Sequence, residues 1–156
     1  MVADGKFWEY ILAAVGLGLM FGLSGAGSAI GLVAGGNAAV GALRKRKEIF
    51  GLSLVLAGLP ATQGLYGFVA YIIFSSHLTP GIDMLAASVM FGAGLGMGLV
   101  NFISAVKMGE VCSAGISSMG MGHDVFGNTL VLAAFPEFYA ILGLVGGILM
   151  NGLIPS

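Results

Sequence analysis

Charged residues fall in a few short stretches and leave four long apolar runs between them. Residues 11–42 carry no charge over 32 positions. A helix of that length rises roughly 48 Å at 1.5 Å per residue. The hydrocarbon core of a bilayer is only ~30 Å thick, so such a helix must tilt or project beyond it. The pattern predicts helices over about residues 7–43, 49–75 and 84–119, with a fourth opening near residue 125. The first run is too long for the apolar core of a signal peptide, so this helix is expected to stay in the mature protein. Trp8 and Tyr10 at its start suit an interfacial aromatic belt.

The connections set an expected topology. Arg44-Lys45-Arg46-Lys47-Glu48 is short, basic and next to a helix end. The positive-inside rule places it in the cytoplasm and the N-terminus outside or lumenal. Residues 76–83 read as a turn on the outer side, with His77 and Asp83 as loop residues rather than metal ligands. The loop near Gly120-Met121-Gly122-His123-Asp124 has no Lys or Arg, so orientation rests on the first hairpin.

The second half repeats the first. A shift of 76 residues lays Pro60 on Pro136, Gly67 on Gly143, Val69 on Val145 and Ile72 on Ile148. The same shift lays Gly16, Gly18, Gly22, Ser28 and Ala38 on Gly92, Gly94, Gly98, Ser104 and Ala114. Each half has two helices, so both halves enter the membrane from the same side. The expected fold is an all-α membrane protein of four transmembrane helices, built as two tandem parallel-repeat hairpins. The hairpins are residues 1–75 and 76–156, the second carrying the candidate ion-binding carboxylate.

Composition agrees. Of 156 residues, 58% are hydrophobic and 8% charged, against about 25% charged in soluble domains. The net charge of −1 leaves no basic face for nucleic acid. Cys112 is alone, which excludes an internal disulfide and a Cys-based zinc cluster; it reads as a packed hydrophobe. Twenty-eight glycines lie among Leu, Val, Ile, Met and Phe. Gly27, Gly31 and Gly35, preceded by Gly18 and Gly22, form a small-residue stripe that marks a tightly packed helix face. Gly92 and Gly96, with Gly94 and Gly98, are expected to pack in the same way. No strand precedes these glycines, so a dinucleotide fold is excluded.

The candidate chemistry lies in Phe135-Pro136-Glu137-Phe138-Tyr139. Glu137 is the only charged side chain among residues 125–156. A carboxylate at membrane depth is costly and is read by default as part of an ion or substrate path. Under the repeat, Ala61 takes the place of Glu137, so the four helices share one carboxyl group at that repeat position. On the second helix Pro60 removes a backbone donor and frees the Leu56 carbonyl. Leu59, Thr62, Gln63 and Tyr66 are spaced to share one face. Gln63 lies about 14 residues from the cytoplasmic end and Glu137 about 12, roughly 18–21 Å down their helices. A carboxylate, an amide, a hydroxyl and a phenol can therefore meet. That set can bind a small cation, or hold a proton on the acid. Lys107 and Glu110 are three apart and can pair; the alternative is a contact between Lys107 and Glu137.

At these residues the chain resembles the duplicated proteolipid, the c or K subunit of V-type and archaeal-type rotary ATPases. The resemblance covers essentially the whole chain. It is carried by the glycine-rich helices, by Leu59-Pro60-x-Thr62-Gln63-Gly64-Leu65-Tyr66-Gly67 and by Glu137-x-Tyr139-Ala140-Ile141-Leu142-Gly143. It implies a homo-oligomeric rotor ring in the lipid bilayer, with Glu137 exchanging one ion per step at half-channels shared with a stator membrane subunit. That stator carries an essential arginine, and the cytoplasmic loops meet a central-stalk subunit. The chain itself would be non-catalytic, with ATP chemistry in other subunits. No cofactor is implied beyond the transported H+ or Na+. Sodium-carrying relatives use positions matched here by the Leu59 carbonyl, Thr62, Gln63 and Glu137, with Tyr66 as a supporting hydroxyl. Met108 stands where a helix-3 glutamine is expected. A thioether is a poor ligand for a hard cation, so sodium would need water or Ser104 for the missing oxygen, whereas a proton would not. The competing readings are a small four-helix cation-coupled antiporter with an essential membrane glutamate, and a structural channel protein. The dispersed aromatics and dense glycines speak against the first. The shared face of Thr62, Gln63 and Tyr66 beside a proline speaks against the second.

Overall fold

A computed structural model describes residues 6–154. Residues 1–5 and the last two residues of the second hairpin lie outside the described residues. Helix α1 spans Phe7–Leu43, α2 Phe50–Gly58, α3 Ala61–Ser75, α4 Met84–Gly120 and α5 Phe126–Asn151, with one 3-10 turn at Lys47–Ile49. Among the described residues, four helical units are long and apolar enough to cross a membrane, the second being the 3-10 turn, α2 and α3 together. The 37 residues of α1, and likewise of α4, rise about 55 Å, well past the hydrocarbon core.

The continuous second helix expected from the sequence is broken at Leu59-Pro60. Pro60 has no N–H to give the Leu56 carbonyl, and that oxygen accepts instead from Leu59 N–H at 3.4 Å. The Leu59 carbonyl accepts from Thr62 N–H at 3.2 Å. The break is thus a tightened turn in which carbonyls find partners three residues away rather than four. Its repeat mate Pro136 sits inside an unbroken α5.

Both hairpins are antiparallel and share one register. Gly67 faces Ser24 in the first, and its repeat mate Gly143 faces Val100 in the second. Between hairpins, α1 and α4 run parallel at close range. A methyl added at Gly16 would lie 2.5 Å from the Met90 carbonyl oxygen, and one at Gly98 would lie 2.6 Å from that of Leu19. Gly94 abuts Gly16, Gly109 abuts Gly31, and Gly120 abuts Ala42. Contact partners advance together along both helices, which is the arrangement a parallel repeat requires.

The glycine expectations need one correction. Gly27, Gly31 and Gly35 are buried against Phe102, Ala105 and Ala57. Gly96, however, faces open space, and Gly92 meets only the end of Met150 at 3.5 Å. Gly18 and Gly22 are also open. Residues two apart on a helix point to nearly opposite sides, so α1 takes the face of Gly94, Gly98 and Gly109 and leaves that of Gly92 and Gly96.

Two apolar clusters fill the bundle. One, at the end of the 76–83 turn, holds Leu17, Met20, Phe74, Met90 and Met97; the other, at the basic-loop end, holds Leu56, Met108, Cys112, Ile116 and Met119. Asp83 accepts a 2.7 Å hydrogen bond from Ala86 N–H and caps α4. Arg46 pairs with Glu48 at 2.8 Å and donates to the Met119 carbonyl at 3.1 Å, tying the basic loop to the end of α4.

Candidate ion-binding site

The polar centre lies where the two apolar clusters meet. Gln63 is held there with 0% exposure. The tightened turn at Leu59-Pro60 presents Thr62, Gln63 and Tyr66 from the first turns of α3 toward α5. Glu137, half-buried, receives all three. Its Oε2 accepts from Gln63 Nε2 at 2.7 Å and from Thr62 Oγ1 at 2.8 Å. Its Oε1 accepts from the Tyr66 hydroxyl. Three donors converge on one carboxyl group. Hydrogen bonds to a charged group are the strong ones, at about 1.5–3 kcal/mol each.

Thr62 Oγ1 also lies 3.0 Å from the Leu59 carbonyl and 3.2 Å from Gln63 Oε1. Four oxygens therefore cluster: the Leu59 carbonyl, Thr62 Oγ1, Gln63 Oε1 and Glu137 Oε2. A small hard cation asks for such a set. A cleft of about 200 Å³ opens beside it, lined by Leu59, Thr62, Met108, Leu130, Ala133, Ala134 and Glu137.

Helix α4 contributes from behind. Met108, 2% exposed, turns its sulfur to Gln63 Nε2 at 3.6 Å. Ser104 Oγ accepts from Gln63 Nε2 at 3.2 Å and donates to the Pro136 carbonyl at 2.6 Å. Ser104 spends its hydrogen on a backbone oxygen and meets Gln63, rather than the carboxyl group. Lys107 Nζ pairs with both oxygens of Glu110 at 2.9 Å, each partner more than half exposed. The structure gives Lys107 to Glu110.

Sequence reasoning passed over Asn101. It is fully buried, and its Nδ2 donates to Ser24 Oγ at 3.1 Å across the α1–α4 seam. Ser24 Oγ in turn donates to the Met20 carbonyl at 2.7 Å. Asn101 Oδ1 is buried without a hydrogen-bond partner among the described residues. The available signal was spacing: Asn101, Ser104 and Met108 fall three and seven apart, on one helix face. Ser28, the repeat mate of Ser104, was noted only as part of the repeat; its Oγ accepts from Gly64 N–H at 2.7 Å.

Comparison with known proteins adds an independent line. Residues 15–74 and 91–150 each match the family of the ATP synthase C subunit, and the two segments keep the 76-residue shift. The A-type ATP synthase subunit K of Methanocaldococcus jannaschii is 39% identical over 141 residues, covering 90% of this chain and 61% of that protein. The V-type sodium ATPase subunit K of Enterococcus hirae is 35% identical over 122 residues, covering 78% of each chain. The c'' subunit of the V-type proton ATPase of Saccharomyces cerevisiae is 28% identical over 151 residues, covering 92% of this chain and 71% of the other.

Proposed function

This chain belongs to the ATP synthase C subunit family, as a duplicated proteolipid, and from that premise we propose that it is an ion-translocating subunit of the rotor ring of an A/V-type rotary ATPase. It carries H+ or Na+ by reversible occupancy of Glu137, coupled to rotation of a ring of identical copies. The observation that supports this reading is the convergence of Tyr66, Thr62 and Gln63 on Glu137, the one carboxyl group of the α5 span.

The physics follows from the cost of charge in oil. A bare carboxylate facing lipid is strongly disfavoured, whereas a neutralised, hydrogen-bonded one is tolerated. A loaded Glu137 passes through the lipid-facing part of a rotation, and an emptied one stays where a cation of the stator, an arginine, meets it. With a proton aboard, the acid is itself a donor, and a hydroxyl of Thr62 or Tyr66 turns to accept from it while Gln63 still donates. With sodium aboard, Glu137, Thr62, Gln63 and the Leu59 carbonyl supply oxygens, and the Met108 sulfur stands where a further oxygen would help. One site per four helices gives fewer ions per turn than an equal ring of single hairpins, which suits steep gradients. The central stalk meets the basic loop and the loop after α4, which Arg46 ties together. ATP chemistry belongs to other subunits.

Labelling with dicyclohexylcarbodiimide, which attacks a protonated buried carboxyl group, tests the assignment. Modification is expected at Glu137. Protection by sodium at fixed pH identifies sodium as cargo, and protection by raised pH alone identifies the proton. Glu137→Gln in the assembled complex is expected to stop transport; transport that continues overturns the proposal.

A further inference from the structure

Three hydrogen bonds close a loop around Glu137. Its side chain accepts from Gln63 Nε2, Gln63 Nε2 donates also to Ser104 Oγ, and Ser104 Oγ donates to the carbonyl of Pro136, the residue before Glu137. A primary amide has two N–H donors. One of those on Gln63 is directed to Glu137 and the other to α4. When the Glu137 side chain leaves the site, only the first of these bonds is lost. The Ser104 bonds to Gln63 and to the Pro136 carbonyl can both persist, because neither uses the carboxyl group. Ser104 is 5% exposed and Gln63 is 0% exposed, so water does not compete for these partners.

We propose that Ser104 is a positioning residue of the ion site, holding the Gln63 amide aimed at the vacated place so that the returning Glu137 is recaptured without reordering it. This rests on the ion-carrying reading of Glu137. Without the hydroxyl, the second Gln63 N–H keeps only the Met108 sulfur, a weak acceptor, and the amide must be reoriented at each return. The cost falls on the step that reloads the site, not on the maximal rate.

The repeat supplies the control. Ser28 bonds the first turns of α3 through Gly64 N–H and touches neither the Gln63 amide nor Pro136 in any hydrogen bond of the structure. Losing it removes a comparable serine link, between α1 and α3. ATP-driven transport by the assembled complex is measured against concentration of the transported ion. Ser104→Ala is expected to raise the half-saturating concentration about fivefold, the factor carried by one neutral hydrogen bond, with the maximal rate retained. Ser104→Thr, which keeps the hydroxyl, is expected to restore it, and Ser28→Ala to leave it at the wild-type value. Should Ser104→Ala fail to assemble, Ser104→Cys, close in size and a weak donor, is read in its place. An unchanged half-saturating concentration in the Ser104 variant, or an equal rise in Ser28→Ala, overturns the proposal. If Glu137→Gln stops transport while Ser104→Ala is silent, the role of Ser104 falls alone; if Glu137→Gln is itself silent, the ion-carrying reading falls with it.

Discussion

Replacing Tyr66 with Phe removes a single oxygen from the site and keeps the ring. Glu137 Oε2 has two donors, Gln63 and Thr62, but Oε1 takes its hydrogen bond from Tyr66 alone among the described residues. Tyr66→Phe therefore strips one carboxyl oxygen completely. A hydrogen bond to a charged group contributes about 1.5–3 kcal/mol. Tyr66 is half-buried, so water offsets part of the loss and the low end applies. A loss of about 1.5 kcal/mol is a factor of about ten in the equilibrium between the closed and open carboxyl group. The open form, once it takes up a proton, is the one a carbodiimide attacks. The initial rate of dicyclohexylcarbodiimide labelling at Glu137, at fixed pH in the intact complex, is therefore expected to rise about tenfold. A rate equal to or below wild type would refute the idea that Tyr66 locks the carboxyl group.

Other substitutions test the surrounding structure. Gly94→Ala drives a methyl into the Gly16 backbone, where neither helix can yield, and is expected to cost at least ~1–3 kcal/mol, seen as a lower unfolding temperature or failed assembly. Gly51→Ala, which meets nothing within 4 Å, is expected to be tolerated in the same measurement. Lys107→Met breaks an exposed pair with Glu110 worth about 0–1 kcal/mol; its transport rate is expected to stay at wild type, and a large fall would return Lys107 to the ion site. Asn101→Leu gives up one hydrogen bond to Ser24 but also removes a buried orphan acceptor, whose desolvation costs about 1–3 kcal/mol. Thermal stability is expected to be equal or higher, and a clear loss would mean that Oδ1 has a partner in the assembled protein.

The membrane-length runs, the duplication and the candidate carboxyl group are legible in the residues alone. Uncharged runs of such length have one stable form in lipid, because only a helix satisfies its own backbone there. The 76-residue shift followed from the identities of Pro60 and Pro136 and the glycines around them. Glu137 stood out because a carboxylate inside an apolar run is costly. Spacing was enough to put Thr62, Gln63 and Tyr66 on one face, since helical period alone decides that.

Tertiary structure decided which face meets which neighbour. Period 3.6 separates Gly94 from Gly96 but does not say which one α1 presses against, and all four glycines read alike until the contacts are seen. Pro60 and Pro136 are the same residue under the repeat, yet only the first breaks its helix. On sequence, Met108 stands where a ligand is expected and Ser104 is a possible source of the missing oxygen; the fold turns both toward Gln63, with the Ser104 hydrogen directed to the Pro136 carbonyl. Lys107 had two partners open to it on sequence, and the short reach along α4 to Glu110 settled the pairing. For the glycines, Ser104 and Met108 the deciding quantity is a distance between helices, which depends on packing that no single helix encodes, whereas Lys107 finds its partner within α4.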